Sequence, residues 1–302
     1  MIKLINNINT IINGTIPGKQ KYNFSLHNLN CGLKLAIYGD LKNAKNIMIV
    51  LQGLGSDGRR SRTVLTFCNS YLNEFTEKDC FITFDMPGVG DNINTEKFWG
   101  SQFSSIDVHL DDIVEYIISL NKNANLFITA FSASTLHLLA YMTDDGLTIK
   151  NKFKNNIKYF YLVSPCGDAD ETLDYIFSNS YFNTFLSFSN TYSKVKFVLN
   201  KKDYKKLLEV KDCLFNIKNS NYFLSEDSKY EFNFEASIDN CDVILSKNDT
   251  ITNYDIVKKF LNNFNDINYI EYNFGGHAGF SNLFFTSRKH EDYIINSIKK
   301  QC

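Results

Sequence analysis

Hydrophobic and polar positions along this 302-residue chain fall into a repeating rhythm. Residues 22–26 and 33–38 read as a short opening pair of strands, with the turn signal of residues 28–32 between them. The pattern then changes. Residues 47–51 are a continuous apolar run, as expected of a strand buried on both faces, and the run ends in the glycine turn Gln52-Gly53-Leu54-Gly55. A helix is expected over 62–75. The next apolar run, 80–84, ends in Asp85-Met86-Pro87-Gly88-Val89-Gly90 and precedes a helix over 106–120 whose apolar residues recur at helical spacing. Residues 126–130 lead through Phe131-Ser132-Ala133-Ser134 into a helix ending near Met142, and 159–163 form a strand closed by Ser164-Pro165-Cys166-Gly167.

Alternating strand and helix imply a parallel sheet with helices on both faces, a doubly wound α/β fold. Pro87 and Pro165 stand just beyond the carboxyl ends of strands, where the chain leaves the ladder, and open α/β sheets place their sites on that edge. The rhythm is lost over 168–240. That segment is dense in rings, with Tyr175, Phe177, Tyr181, Phe182, Phe185 and Phe188 close together, and it reads as an inserted, mainly helical lid. The core is thus expected in two parts, 1–167 and 241–302. In the second part a strand over 243–245 is followed by Lys247-Asn248-Asp249-Thr250, a helix over 254–264 and a strand over 269–272. The final turn is Phe274-Gly275-Gly276-His277-Ala278-Gly279-Phe280, before a closing helix over 292–299.

Composition narrows the function. With 44% hydrophobic residues the chain can bury a sizeable core. Its 32 basic and 33 acidic residues nearly cancel, so no overall field would draw a nucleic acid or an anionic membrane. Residues 1–20, Ile and Leu broken by Asn, form neither a signal-peptide core nor a membrane span, so cytoplasmic residence is expected. The seven cysteines are scattered without a C-x-x-C pair, which suggests reduced thiols rather than a metal or redox site. No phosphate-binding loop occurs, and Gly88-Val89-Gly90 lacks the third glycine of a dinucleotide fingerprint.

Acyl transfer requires a nucleophile, a base, a group that orients the base, and donors for the developing oxyanion. Ser132 lies between an apolar strand and a helix among the small residues Ala130, Ala133 and Ser134, which a sharp strand-to-helix turn demands. Taken alone, a serine there reads as a helix cap. Asp249 taken alone reads as a turn former, with Asp255 its nearest competitor for an acidic role. His277 is the most distinctive residue, because a histidine framed by glycines is neither core filler nor helix surface. His109 and His137 fall on expected helices, and His27 and His290 lie outside the strand-edge loops, so surface or packing roles suit all four. Cys166 follows a strand without an elbow and reads as a buried thiol.

These residues, in this order, resemble the α/β-hydrolase superfamily from about Lys21 onward. The turn Gln52-Gly53-Leu54-Gly55 resembles the family's glycine turn after its third strand, and residues 85–90 resemble its D-x-P-G-x-G loop. Ala130-Phe131-Ser132-Ala133-Ser134 aligns with the G-x-S-x-G nucleophile elbow, with both glycines replaced by small residues. In that form it is similar to the elbow of the bacterial luciferase-system acyl thioesterases. The Gly-Gly-His-Ala-Gly-Phe turn resembles the ending of YheT-like hydrolases. The resemblance implies a serine hydrolase with Ser132 as nucleophile, His277 as base and Asp249 as orienting acid, in the family's chain order. The amides of Leu54 and Ala133 would form the oxyanion hole, the substrate would be a small-molecule ester or thioester, and no cofactor would be needed. An acyltransferase using the same acyl-enzyme, or a non-catalytic ligand-binding protein on the same scaffold, would carry similar residues.

Overall fold

The computed structural model describes residues 18–53, 61–75, 79–85, 92, 106–143, 152–168, 171–172, 175, 232–277 and 289–301, with no side-chain description for 106–109. Its strands are β1 (Ser25–Asn28), β2 (Lys34–Gly39), β3 (Asn46–Leu51), β4 (Asp79–Phe84), β5 (Asn125–Phe131), β6 (Ile157–Val163), β7 (Cys241–Ser246) and β8 (Asn268–Tyr272). They form one sheet in the order β1-β2-β4-β3-β5-β6-β7-β8. β2 runs antiparallel to both neighbours, and every pair from β4 to β8 is parallel. The helices are α1 (Arg62–Glu74), α2 (Ile106–Leu120), α3 (Ser134–Thr143), α4 (Tyr254–Leu261) and α5 (Lys289–Gln301).

The apolar run of β3 shows why the sheet is covered on both sides. All six of its residues are buried. Ile47, Ile49 and Leu51 pack on one face with side chains of α2, α3 and α4, while Met48 and Val50 pack on the other with α1 and α5. Each such side chain contributes roughly 1.5–3 kcal/mol of burial, so a polar residue on either face of β3 would be costly. α1 meets the sheet through Val64, Leu65, Phe67, Cys68 and Tyr71, an apolar stripe at helical spacing. α4 is capped by Asn253, whose side chain accepts from the amides of Asp255 and Ile256, and Lys258 and Lys259 complement its carboxyl end.

Strand order also locates the site. After β3 the chain adds β4 on one side, and β5 then pairs with β3 on the other. The carboxyl ends of β3 and β5 therefore flank the switch point, the crevice where open α/β sheets bind ligands.

Several boundaries differ from the sequence expectation, β6 and β7 each starting two residues earlier, and three differences have a cause in packing. β1 begins at Ser25, because Tyr22 and Phe24 pack against the α1/α5 side of the core rather than pairing in the sheet. The turn is correspondingly tighter: Asn28 pairs with Lys34, and the Leu29 amide donates to the Leu33 carbonyl at 2.8 Å with Gly32 at φ 86°. α4 ends at Leu261, and the apolar spacing out to Phe264 continues in a tightened turn, with Asn263 bonded to Phe260 and Phe264 to Leu261. α5 starts at Lys289, not 292, because its first turn buries the polar residues His290 and Glu291, which carry no apolar signal.

Among the described residues no helix is long and apolar enough to cross a membrane. The five described cysteines, Cys31, Cys68, Cys80, Cys166 and Cys241, are free thiols. Residues 169–170, 173–174 and 176–231, most of the segment read as a lid, lie outside the described residues.

Candidate active site

β5 ends at Phe131, and the next residue turns sharply. Ser132 has φ 53°, a left-handed backbone that costs a non-glycine residue roughly 1–3 kcal/mol. Hydrogen bonds on both sides hold it there. Its amide donates to the Val163 carbonyl of β6 at 3.0 Å, and its carbonyl accepts from the Thr135 amide at 3.0 Å and the Thr135 hydroxyl at 2.6 Å. Thr135 Oγ1 also accepts from the Cys166 amide at 3.2 Å, tying the turn after β6 to the elbow.

The two residues that replace the elbow glycines fit for different reasons. Ala130 is fully buried on the face of the sheet that α2, α3 and α4 cover, where a larger side chain would press on that packing. Ser134 is fully buried as well, and its hydroxyl donates to the Gln52 carbonyl at the end of β3. It thereby uses the space beside a glycine to fasten the elbow to the loop that would supply an oxyanion donor. Gly53 in that loop lies so close that an added Cβ would stand 3.0 Å from Ser132 Cβ and 3.6 Å from its Oγ. Leu54, expected to provide one oxyanion amide, lies outside the described residues, as do Gly55 and residues 86–90. The amide of Ala133 precedes the first turn of α3, where helical geometry supplies it no carbonyl.

Asp249 and His277 arrive on separate loops, after β7 and β8, and meet. His277 Nδ1 lies 2.9 Å from Asp249 Oδ2 and 3.1 Å from Oδ1, with the two side chains 12% and 4% exposed. Asp249 also accepts from the amides of Ile251 (2.9 Å) and Thr252 (3.0 Å) and from the Thr252 hydroxyl (3.0 Å). Burial alone would push its carboxyl up, but His277 and these donors outweigh that and hold it below the usual carboxylate range. An ionised carboxylate only accepts hydrogen bonds, so Nδ1 carries a hydrogen, and in the neutral ring Nε2 is the nitrogen with the lone pair. The His277 loop is placed by Asn248, whose Oδ1 accepts from the amides of Gly275 (3.1 Å) and Gly276 (3.0 Å), and by the left-handed φ of 63° at Gly276. Asp255 is exposed in the first turn of α4 and does not reach His277.

Ser132, Asp249 and His277 all follow parallel strands at one edge of the sheet. Among the described residues, hydrogen bonds join His277 to Asp249 and none joins it to Ser132, a contact that in resting hydrolases is often long and tightens with substrate. Cys166, after β6, interacts with both Ser132 and Asp249. Burial pushes its thiol up to about 12, opposed by a hydrogen bond with Ser132 and reinforced by the charge of Asp249. Such a thiol stays protonated and is a poor nucleophile.

Sequence patterns alone do not reveal Thr135, Asn248 and Thr252, because their roles depend on contacts between loops. Of the surface or packing roles expected, packing holds for His290, buried beneath the His277 loop, and for His137, buried in α3. His27 lies on β1, with Nδ1 2.6 Å from the Tyr116 hydroxyl. His109 falls on α2, its side chain outside the described residues. Among the described residues no group of three or more His, Cys, Asp or Glu side chains could hold a metal ion.

No protein-family model and no curated protein matches the chain by sequence. Solved structures do match by shape. The esterase Pf2001 of Pyrococcus furiosus superposes with a TM-score of 0.56 at 12% identity, covering 95% of this chain and 97% of that one. The esterase EaEST of Exiguobacterium antarcticum gives 0.57 at 13%, covering 91% and 99%. XC6422 of Xanthomonas campestris, described as an α/β serine hydrolase without lid, gives 0.53 at 11%, covering 94% and 96%. The fold of this chain is therefore the α/β-hydrolase fold. The solved structures it is similar to include esterases, a monoglyceride lipase of Saccharomyces cerevisiae and an α/β serine hydrolase.

Proposed function

We propose that this chain is a serine hydrolase that cleaves a small-molecule ester or thioester through an acyl-enzyme on Ser132. The observation that carries the proposal is the pairing of His277 Nδ1 with the buried Asp249 carboxylate at the sheet edge where Ser132 stands in a left-handed elbow. His277 Nε2 takes the proton from Ser132 Oγ as that oxygen attacks the carbonyl carbon, and Asp249 stabilises the imidazolium that results. The amides of Ala133 and Leu54 donate to the oxyanion. Collapse of the tetrahedral intermediate expels the alcohol or thiol, which receives the proton from His277. Water, deprotonated by the same nitrogen, then attacks the acyl-enzyme, releases the acid and restores Ser132. The esterase and lipase activities named for the proteins of similar shape support a hydrolase on this scaffold.

The test is labelling with a fluorophosphonate probe, peptide mapping, and turnover of p-nitrophenyl esters and acyl thioesters. The label is expected on Ser132, and Ser132→Ala should abolish it and lower turnover by about 10⁴-fold or more with the fold retained. A label on Ser134 or Cys166, or a Ser132→Ala variant of unchanged turnover, would overturn the proposal.

A further inference from the structure

The acid and the base stand on two loops that must keep a fixed spacing. Asn248 ties them near His277, and a second tie lies underneath. His290, in the first turn of α5, is 1% exposed, and its Nε2 lies 3.3 Å from the hydroxyl of Ser246, the last residue of β7. The same ring edge forms the floor under Gly275. A Cβ added to Gly275 would stand 3.1 Å from His290 Nε2 and 3.2 Å from its Cε1, and closer still to Ser246 Oγ. Tyr272, the last residue of β8, lies along the ring with centroids 4.8 Å apart and planes inclined by 37°. One buried imidazole therefore touches the end of the acid's strand, the end of the base's strand and the loop that carries His277.

We propose that His290 is a positioning residue that sets the height of the His277 loop relative to Asp249 through its contacts with Ser246 and Gly275. The inference rests on the reading of Ser132, His277 and Asp249 as one catalytic site. His290 does not touch the reacting atoms. Burial holds its ring well below the usual histidine range, at about 4, opposed by the charge of Asp249, so it stays neutral where His277 works. In a neutral imidazole one ring nitrogen donates and the other accepts, and a hydroxyl can do either, so Nε2 and the Ser246 hydroxyl share one hydrogen bond in either tautomer. The absence of a side chain at Gly275 lets the loop descend onto the ring, and Asn248 then captures the Gly275 and Gly276 amides from above.

The experiment measures fluorophosphonate labelling of Ser132, separated into the maximal rate kinact and the half-saturation constant KI. It uses wild type, Ser246→Ala, His290→Phe and the double variant, each with a thermal melt. A misplaced base slows the bond-forming step without weakening probe binding. Either single variant should lower kinact about tenfold with KI within about twofold, and the double variant should be no slower than the slower single, because both cut one contact. If His290→Phe fails to fold, Ser246→Ala, which removes one small hydroxyl, decides alone. A folded Ser246→Ala that labels at the wild-type rate, or losses that multiply in the double variant, would overturn the inference and leave the serine hydrolase reading standing. Wild type that does not label at Ser132 would instead overturn that reading, and the inference with it.

Discussion

Replacing Asp249 by Asn changes one atom, and the hydrogen bonds around it dictate the consequence. Oδ1 accepts from the amides of Ile251 and Thr252, which only donate, so the oxygen of the new amide must stay on that side. The NH2 group then takes the place of Oδ2, facing Thr252 Oγ1 and His277 Nδ1. The Thr252 hydroxyl can turn and accept, so the fold loses little. His277 Nδ1 lies nearer the position of that NH2 group (2.9 Å) than the retained oxygen (3.1 Å). To accept from the NH2 group, Nδ1 must give up its hydrogen, Nε2 then carries it, and the nitrogen facing the nucleophile can no longer take a proton. The same inversion in a serine protease triad costs about 10⁴ in kcat, or about 5 kcal/mol of barrier. Asp249→Asn is therefore expected to lose about 10⁴ in kcat for a p-nitrophenyl ester, with KM within about threefold and a melting transition near that of wild type. Asp255→Asn, on the exposed first turn of α4, should change kcat by less than about twofold, because only a helix-dipole contribution is lost. Asp249→Asn within tenfold of wild type, or Asp255→Asn as the more damaging change, would refute the assignment.

Acid should destabilise the protein in two stages. His290 is held at about 4 by burial against an ordinary value of 6.5, so as the pH falls the unfolded chain binds a proton before the native state does. Its stability contribution is complete above pH 6.5 and is lost between 6.5 and about 4, a change on the order of 3 kcal/mol. The lowered carboxyl of Asp249 contributes stability present above 3.8, which is lost as the pH falls further through its native value. Urea midpoints measured from pH 7 to 4.5 should fall less steeply in His290→Phe than in wild type, and parallel curves would contradict this. Gly275→Ala should lower turnover by at least about tenfold, since its Cβ meets Ser246 and His290. Adding Ser246→Ala should recover part of that loss, and Gly275→Ala with wild-type turnover would show that the loop has room to spare.

How the site was encoded differs from residue to residue. Continuous apolar runs ending in glycine, proline or small-residue turns were enough to find β3, β4, β5 and β6 and the parallel character of the core, because burial on both faces leaves little polar alternation to confuse the pattern. Ser132, Asp249 and His277 stood out as candidates because each lies in a loop after a strand, in the chain order of the resembled family. Boundaries were less legible. Tyr22 and Phe24 looked like strand because a half-buried aromatic has the same sequence signature whether its backbone joins a ladder or merely lies on a helix. For His290 the sequence left surface and packing roles open, since a polar residue there carries no mark of burial until the loop after β8 is laid over it. Pairing Asp249 with His277, explaining how Ala130 and Ser134 fit in place of glycines, and linking Cys166 to Ser132 all required contacts between loops far apart in the chain. By itself the sequence determined which segments are strands, which loops leave the same sheet edge and which residues with useful chemistry stand in them, since these follow from local periodicity and turn chemistry. Only the tertiary structure decided which of those residues touch, because hydrogen bonds between loops depend on sheet order and on how closely glycine lets two backbones approach.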